Sequence, residues 1–451
     1  MLVAYAAGEG QKLWSVDFTQ AFLYAPMDRE LYIQLPKLPP EIAAGWGRGV
    51  VGKLNKALYG LCDAPRRWQR HLLSFLKDTL KADVFVTDRN MFRWKWRGQE
   101  LLGCIHVDDI LFTGPEDARK EFLRILRLSF DVTGGEEPCK KFLGYQIEYD
   151  DEKRTIKLHQ GDFARNLLQR FGAWDIKPAD TPLRVGAAPL APWEGKATSL
   201  DVFDYGMFVG SVTWLLRTNP RLAFPVHELS RFVSNPGPEH VAAAHRVMAN
   251  IRKDPEAGLT FHGSKAVLEQ SYPHKHMLIA SCDSGFSHVG EKAVSGYTIL
   301  MNGAAVMHVC RAQSTVSRQS TESEVKSIAG AAEMIQSVVP VWEEMMGRSH
   351  PSVRLMTDNK GAKKQVEAGA DGPASAAYLR SRKYAESKVY EGLLWLDHVP
   401  GEKNPADLAT KQVRDISEFN EKNGVISGES PFLYESAQIA ELKRKLRVAA
   451  G

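Results

Sequence analysis

The sequence predicts two folded parts, an α+β front part and a smaller mixed α/β domain, joined by a linker and a helical segment. The 451 residues are enough for two or three domains, each with its own core. Short β-rich runs alternate with amphipathic stretches in the front half, whereas the back half has a hairpin signal followed by helices and strands. Residues 184–199 are rich in Ala, Pro and Gly without a sustained period, which indicates a linker.

Composition narrows the class of protein. The chain is 44% hydrophobic and 25% charged, as expected of a globular protein. It has no long apolar run, and MLVAYAAGEG lacks the basic and apolar parts of a secretory signal, so nothing places it in a membrane. The five cysteines form no C-x-x-C pair, which favours a reducing, intracellular compartment and leaves cytoplasm or nucleus open. A net charge of +4 is compatible with a polyanionic partner but does not indicate one.

The front half, residues 1–183, contains six short runs of alternating apolar character that predict strands. Two amphipathic stretches, residues 65–80 and 116–129, predict helices. Since strands and helices are interspersed, the expected class is α+β. The six runs are LWSVDF, MFRWKW, LLGCIHV, ILFTG, FLGYQIEY and TIKLH.

The back half begins with residues 200–275, whose apolar spacing predicts a helical connection. Residues 276–415 predict strand, hairpin, helix, strand, helix, strand and helix, with a mixed five-stranded sheet. Asn302-Gly303 is a strong two-residue hairpin signal, because both central residues must adopt positive φ. Residues 416–451 are a charged, helix-prone tail to which we assign no chemistry.

Three aspartates of the front half are candidates for a metal site. Asp17 ends a strand, and Asp108-Asp109 lie between two apolar runs, where a tight hairpin would hold them at its tip. Adjacent carboxylates repel each other, so a structure that orients them alike normally needs a cation, for which Mg²⁺ is the natural candidate. Nucleotidyl transfer uses two such ions. The alternative is ordinary turn chemistry, which Asp also favours.

The motifs around these aspartates resemble those of copia-type retrotransposon reverse transcriptases. The resemblance implies a polymerase palm and thumb, with Asp17, Asp108 and Asp109 as the metal-binding catalytic residues. The matching segments are WSVDFTQAFLYAPMDRELYIQLP, KLNKALYGLCDAPRRW, CIHVDDILFTG and KKFLGYQI, in the order of that family.

The same resemblance implies roles in nucleotide binding. Phe22 falls at the position of an aromatic steric gate, which would exclude a ribonucleotide 2′-hydroxyl and favour dNTPs. The alternative for Phe22 is ordinary core packing within its apolar run. Tyr59 and Gly60 would lie under the incoming base.

Two further segments are predicted to contact primer and template. Leu143-Gly144-Tyr145 resembles the hairpin that grips the primer end. Arg66, Arg67 and Trp68 combine charge with an aromatic ring, which suits backbone contact and stacking, although an exposed helix face would have the same pattern.

Four carboxylates of the back half form a second candidate metal site. Asp283, Glu324, Asp358 and Asp407 lie on elements that could converge at one sheet edge, which suits a two-metal hydrolase. Their motifs resemble those of the RNase H domain of copia-type elements, which hydrolyses the RNA strand of an RNA·DNA hybrid. These motifs are SCDSGF, SRQSTESEVKSIAGAAEM, LMTDNKGA and DHVPGEKNPADLATK.

Glu324 has an alternative role, because Thr321-Glu322-Ser323-Glu324 is also a capping box in which the last Glu returns to the backbone of Thr321. The following helix would bury Val325, Ile328 and further apolar residues, which leaves Glu324 near the rim of the core. We therefore favour the metal role for Glu324, with Glu322 as the spare carboxylate.

The match to the family has gaps. The basic segment that normally precedes Asp17 is missing, so the fingers are expected to be truncated and triphosphate binding weakened. His106, Cys62-Asp63 and Glu402 replace residues that are usual in the family. The sequence thus predicts an RNA-directed DNA polymerase with RNase H activity, using two Mg²⁺ or Mn²⁺ ions per site and acting on RNA template, DNA primer, dNTPs and RNA·DNA hybrid. The alternative is an inactive nucleic-acid-binding remnant.

Overall fold

The computed structural model describes residues 1–34, 51–187, 189–200, 202–264, 275–286, 292–369 and 375–432, and residues 436, 439, 440 and 444. Two compact units are present. We call residues 11–139 the front unit, and residues 3–10 together with 140–451 the back unit. Helix α1 (Leu2–Glu9) therefore lies almost wholly in the back unit. No helix within the described ranges is long and apolar enough to span a membrane.

The front unit is built on a six-stranded sheet with two helices. The sheet order is β4-β5-β6-β7-β1-β8, and a separate hairpin pairs β2 with β3. Helix α2 is Ala64–Asp78 and helix α3 is Glu116–Ser129, close to the two predicted stretches. The strands are β1 (Trp14–Phe18), β2 (Tyr32–Gln34), β3 (Val51–Lys53), β4 (Asp83–Val84), β5 (Met91–Trp96), β6 (Gln99–His106), β7 (Asp109–Thr113) and β8 (Val132–Gly134).

The two helices of the front unit bury their apolar stripes in one core. Helix α2 buries residues four apart, at Trp68, Leu72 and Leu76, and α3 does the same with Phe122 and Leu126. Because the spacing of four keeps these side chains on one helix face, both helices have one buried side and one solvated side. The sheet residues in this core include Phe18, Phe92 and Phe112.

The back unit begins with a four-stranded sheet in the order β12-β11-β10-β9. The connection predicted as helical ends in a strand, and this strand pairs antiparallel with β11, about a hundred residues earlier in the chain. The strands are β9 (Lys141–Phe142), β10 (Tyr145–Asp150), β11 (Thr155–His159) and β12 (Gly258–His262). The helices are α4 (Gly161–Arg170), α5 (Tyr205–Leu215), α6 (Ala223–Ser230) and α7 (Pro238–Lys253).

The rest of the back unit contains a mixed sheet in the order β15-β14-β13-β16-β17. The first three strands are antiparallel, and the β13-β16 and β16-β17 pairs are parallel. The strands are β13 (Leu278–Gly285), β14 (Val294–Met301), β15 (Ala304–Ala312), β16 (Val353–Thr357) and β17 (Leu394–His398). The helices are α8 (Ser320–Met346), α9 (Lys360–Ala368), α10 (Ala376–Tyr390) and α11 (Ile416–Ser427).

The predicted hairpin in this sheet is confirmed. Asn302 and Gly303 join β14 to β15 with φ values of 50° and 98°. The prediction of one helix between β16 and β17 is wrong, since both α9 and α10 lie there. The tail, which was predicted to be helix-prone and was assigned no chemistry, contributes α11, which packs on β12 and β15 and so belongs to the fold.

Candidate metal centres

The front unit brings its three aspartates together. Asp17 on β1 is the cross-strand partner of Asp109 on β7, and Asp108 lies in the tight turn from β6 to β7. One carboxylate oxygen from each of the three lies within 4.8 Å of the others. The hairpin predicted for Asp108 and Asp109 is therefore confirmed, and antiparallel pairing adds Asp17 to its tip. We call these residues the front centre.

The turn that carries Asp108 has an unusual conformation. Val107 has a φ of 55°, which is rare for a β-branched residue and costs about 1–3 kcal/mol where it occurs. The indole Nε1 of Trp68 donates a hydrogen bond of 2.6 Å to the Val107 carbonyl. Helix α2 thus holds the turn in place from the core side, and the surrounding packing maintains a backbone conformation that orients Asp108.

Burial, together with mutual repulsion, raises the pKa of two members of the front centre. Burial raises the pKa of Asp17, and the charge of Asp108 adds to this effect. Burial also raises the pKa of Asp109, followed by the charges of Asp108 and Asp17, while His106 opposes the shift. Mutual repulsion of this kind is relieved when a divalent cation binds among the carboxylates.

The residues predicted to bind nucleotide are partly assembled. Phe22 lies in a 3-10 turn, Ala21–Tyr24, and its ring is 4.6 Å from the ring of Tyr59, tilted by 39°. Tyr59 is 52% exposed, so this aromatic pair presents one ring to solvent. Gly60 has a φ of 97°, and no atom lies within 4 Å of a Cβ placed there. The surface beside Tyr59 is therefore open, as a base-stacking position requires.

The predicted contact of Trp68 with primer or template is wrong. Its side chain is fully buried and packs edge-on against Phe18 and Phe130 in the core. Arg67 is only 9% exposed and forms ion pairs with Asp28 and Asp63, so its guanidinium is already occupied. Arg66 alone of the three is exposed, and its contact with a nucleic acid stays a prediction.

The predicted primer-contacting segment forms the tip of a hairpin in the back unit. Leu143 and Gly144 have φ values of 49° and 83° and connect the paired strands β9 and β10. Leu143 is 38% exposed, and the ring of Tyr145 stacks at 6.2 Å on that of Trp214 in α5. The hairpin geometry is present, whereas its contact with a primer stays a prediction.

The back unit assembles a second carboxylate cluster. Asp283 lies on β13, Asp358 follows β16, and Asp407 lies in a 3-10 turn, Pro405–Ala409. Parallel pairing of β13 with β16 brings the first two to the same edge of the sheet. One oxygen of each aspartate lies within 4.8 Å of the others. We call these three residues and Glu324 the back centre.

Glu324 on α8 is buried beside this cluster without a compensating donor. The side chain is 6% exposed, and its Oε2 is buried with no hydrogen-bond partner. Burial raises the pKa of Glu324 well above its ordinary value, and the charges of Asp283 and Asp358 raise it further. A buried carboxylate oxygen without a donor is costly unless a cation occupies the site, so Glu324 fits the role of a metal ligand.

The capping role belongs to Glu322. Helix α8 begins at Ser320 with Gln319 at the cap position, so the alternative that places a capping box at Thr321 does not hold. The Glu322 carboxylate accepts hydrogen bonds from the Arg318 backbone N–H and the Ser375 hydroxyl, both at 3.0 Å. It also lies 2.9 Å from the Lys326 ammonium. The cap lies two residues before Thr321, which leaves Glu324 free to face the aspartates.

Two lysines at the back centre were not predicted. Lys411 Nζ lies 2.9 Å from Asp407 and 3.6 Å from Asp283. Lys422 on α11 is 2% exposed, and its Nζ lies 2.5 Å from Asp407 and 2.6 Å from Glu418. In the sequence, these ion pairs are indicated only by the four-residue spacings from Asp407 to Lys411 and from Glu418 to Lys422.

Burial of Asp407, followed by the charge of Asp283, raises its pKa to about 6, and the charges of Lys411 and Lys422 oppose this shift. The pKa of Asp358 is raised by burial and by Asp407. Asp407 Oδ1 lies 2.9 Å from the Lys411 ammonium, whereas Glu324 Oε2 is buried without a hydrogen-bond partner. Despite the lysines, the carboxylates remain undercompensated, and the donor set of hard oxygen atoms fits a divalent cation such as Mg²⁺.

The chain is similar to known proteins along most of its length. Residues 1–185 match the profile of the reverse transcriptase (RNA-dependent DNA polymerase) family. The chain is 26% identical, over 94% of its length, to the Retrovirus-related Pol polyprotein from transposon RE2 of Arabidopsis thaliana. Over 72% of its length it is 27% identical to that from transposon TNT 1-94 of Nicotiana tabacum. It spans only 28% and 24% of these two relatives.

Solved RNase H structures align with about a third of the chain. LC11-RNase H1, isolated from compost, matches 30% of this chain and 93% of its own, with 18% identity and a TM-score of 0.25. RNase H1 from Halobacterium salinarum matches 30% and 94%, with 19% identity and a TM-score of 0.24. Residues 1–185 are therefore similar to reverse transcriptases, in a chain that is similar along most of its length to retrotransposon Pol polyproteins.

Proposed function

We propose that the chain is an RNA-directed DNA polymerase with RNase H activity, dependent on Mg²⁺ or Mn²⁺ at two separate centres. Its substrates would be an RNA template, a DNA primer and dNTPs at one centre and an RNA·DNA hybrid at the other. The observation that carries the proposal is the presence of two clusters, each with three aspartate oxygens within 4.8 Å of one another. In this proposal the six-stranded sheet is the polymerase palm.

At the front centre, Asp17, Asp108 and Asp109 would hold the metal ions, which when bound activate the primer hydroxyl and stabilise the leaving pyrophosphate. The protein's own contribution is orientation: strand pairing and the Trp68 hydrogen bond hold the three carboxylates in a preformed arrangement. The pair of Phe22 and Tyr59 would contact the incoming nucleotide, with Phe22 rejecting a 2′-hydroxyl.

At the back centre, Asp283, Glu324, Asp358 and Asp407 would hold the ions, which generate a nucleophilic water for hydrolysis of the RNA strand. Burial excludes bulk water and strengthens each electrostatic interaction within the site. Thr410 donates a hydrogen bond to Asp283, and Asn404 donates one of 3.0 Å to the backbone of Cys282, so the aspartate positions are supported by a second layer of contacts.

Primer extension and hybrid cleavage, measured on the same preparations, test the proposal. Asp109→Asn should abolish Mg²⁺-dependent extension and retain cleavage, and Asp358→Asn should do the reverse. Matched controls are Asp117→Asn and Glu391→Gln, since both carboxylates are exposed and outside the centres. If the unaltered chain binds template-primer but gives no metal-dependent product in either assay, the inactive-remnant alternative holds instead.

A further inference from the structure

A large cavity of about 1550 Å³ lies within the back unit. The segment between α4 and α5 forms one wall, and helices α6 and α7 form another. Residues at the ends of β13, β14 and β15, together with residues 410–412, form the rest. Pockets for small ligands usually have volumes of about 300–1,000 Å³. The size of this cavity favours a longer ligand.

The cavity reaches the back centre. Thr410 and Lys411 both line it, and Thr410 donates to the Asp283 carboxylate. The Lys411 ammonium is 2.9 Å from Asp407. A ligand within the cavity would therefore lie directly against residues that contact the candidate metal ligands.

Cationic side chains outnumber anionic ones on the cavity wall. Two of the three acidic groups are already paired, since Asp180 lies 2.6 Å from Lys253 and Glu228 lies 3.1 Å from Arg231. The excess of positive charge favours a polyanion over a neutral ligand. The basic residues are Lys177, Arg184, Arg231, Arg246, Lys292 and Lys411, and the acidic residues are Asp180, Glu228 and Glu239.

Among these basic residues, Arg184 and Arg246 lie close enough for their charges to affect each other. Burial lowers the pKa of Arg246, and the positive charge of Arg184 lowers it further, whereas the charge of Asp180, which is paired with Lys253, opposes the shift. Arg246 donates to the Thr181 hydroxyl at 3.1 Å, but its Nε is buried without an acceptor. Across the described ranges, no carboxylate lies within salt-bridge distance of either arginine. Two like charges with an unused donor fit a phosphate group between them.

We propose that this cavity binds one strand of a nucleic acid, with a backbone phosphate held by Arg184 and Arg246 and the strand continuing past Lys411 to the back centre. The exposed ring of Phe286, which also lines the cavity, provides a surface on which a base can stack. The inference rests on the proposed RNase H function, because it assigns this strand to the hybrid that the back centre would cleave.

The test measures binding of a fluorescent RNA·DNA hybrid to the full chain carrying Asp358→Asn, which prevents cleavage. Affinity is measured between about 50 and 200 mM salt, with and without Arg184→Gln plus Arg246→Gln. The double variant should make the slope of log K against log salt shallower by about 1 to 2 and weaken binding roughly tenfold at the lower salt concentrations. Contacts made elsewhere are common to both proteins and cancel in the comparison.

Two controls keep the result interpretable. Lys383→Gln plus Lys388→Gln removes two charges from α10, outside the cavity lining, and should leave the slope unchanged. Arg184→Lys plus Arg246→Lys keeps both charges and should retain most of the salt dependence. A thermal melt shows whether each variant is folded, and an unchanged slope in the folded Gln double variant overturns the proposal.

A competition experiment with pyrophosphate distinguishes a cavity that binds a nucleic-acid strand from one that binds a free phosphate compound. The proposal would also be overturned if the two arginine substitutions weakened the binding of pyrophosphate but left the affinity for the hybrid unchanged. Cleavage by the otherwise unaltered chain distinguishes the two levels of inference. An arginine-dependent slope without any cleavage contradicts the proposed function but leaves the cavity assignment, whereas cleavage with an arginine-independent slope contradicts the cavity assignment alone.

Discussion

In both centres, several carboxylates repel one another, but the surroundings of the two centres differ. In the front centre Asp17 is exposed and its partners are half-buried, so water compensates much of the repulsion. In the back centre Asp283 and Asp407 are 1% and 2% exposed, and Lys411 and Lys422 supply internal positive charge. An open centre can thus form without nearby cationic side chains, whereas a buried centre requires them.

Among the substitutions that test the difference between the two centres, Glu324→Gln should have the largest effect on activity. This substitution removes a buried charge that has no donor, so we expect RNA·DNA cleavage to fall by roughly a thousandfold, which corresponds to several kcal/mol of lost metal-dependent stabilisation. Without metal, the same variant should be more stable than the unaltered chain, because repulsion with Asp283 and Asp358 is removed. Cleavage rates and metal-free melting curves measure the two effects.

Glu322→Gln is the matched control on the same helix. It weakens the ion pair with Lys326 and the bond to the Arg318 backbone, so it should lower stability by about 1 kcal/mol and leave cleavage nearly unchanged. Full cleavage activity in Glu324→Gln would remove Glu324 from the back centre, and loss of activity in Glu322→Gln would reverse the assignment of the two carboxylates.

The front centre should be sensitive to the support of its turn. Trp68→Ala empties a fully buried site and should lower the free energy of unfolding of the front unit by about 3–5 kcal/mol. Trp68→Phe keeps most of the packing but loses the hydrogen bond to Val107, so it should reduce primer extension more than stability. Chemical denaturation and extension assays separate these outcomes.

Arg66→Gln provides the contrast on the exposed side of α2. It should leave stability unchanged and weaken template-primer binding, more so at low salt. If Trp68→Phe instead weakens template-primer binding while the turn-dependent extension rate is retained, Trp68 contacts nucleic acid after all and the burial seen here is not the active arrangement.

Much of the fold was predictable because its signals are local. Alternation of apolar residues indicated most strands, and the Asn302-Gly303 pair indicated a hairpin that the structure contains. Burial of Trp68 could also have been predicted from the sequence, because Trp68, Leu72 and Leu76 share one helix face. The prediction gave more weight to the neighbouring arginines than to this spacing, and was wrong.

The remainder depends on contacts between distant parts of the chain. Pairing of β12 with β11 joins residues about a hundred positions apart, and no periodicity within the connection specifies it. Lys422 reaches Asp407 because α11 packs beside the 3-10 turn, so its role follows from tertiary packing. The carboxylates themselves were predictable by motif order, but the cations that compensate them were not.

Phe22→Ala would sharpen the interpretation of the open front centre. If Phe22 acts as the steric gate, its removal should raise incorporation of ribonucleotides relative to dNTPs by roughly 10- to 100-fold, while extension with dNTPs falls only modestly. Single-nucleotide extension with each substrate measures the ratio. A parallel loss of extension with both substrates would instead indicate that Phe22 serves to pack against Tyr59.

The smallest expected effect is the pH dependence of stability in the absence of metal, and it compares both centres in one experiment. The pKa of Asp407 is raised to about 6, and those of Glu324 and Asp358 are raised as well, so the folded back unit binds protons more tightly than the unfolded chain. The contribution of these carboxylates to stability should therefore increase as pH falls from about 8 towards 5 and be lost as pH rises through 6. Burial lowers the pKa of His308 and His350 to about 4, and these groups act in the opposite direction, so the measurement compares the unaltered chain with Asp407→Asn. In EDTA we expect the calorimetric transition of the unaltered back unit to rise by roughly a few degrees relative to that of Asp407→Asn over this range. Mg²⁺ should flatten the dependence of stability on pH, and Asp407→Asn should reduce it.

The stability of the front unit, with its more exposed carboxylates, should depend less on pH than that of the back unit. An equal pH dependence in both units would contradict the distinction between an open and a buried centre.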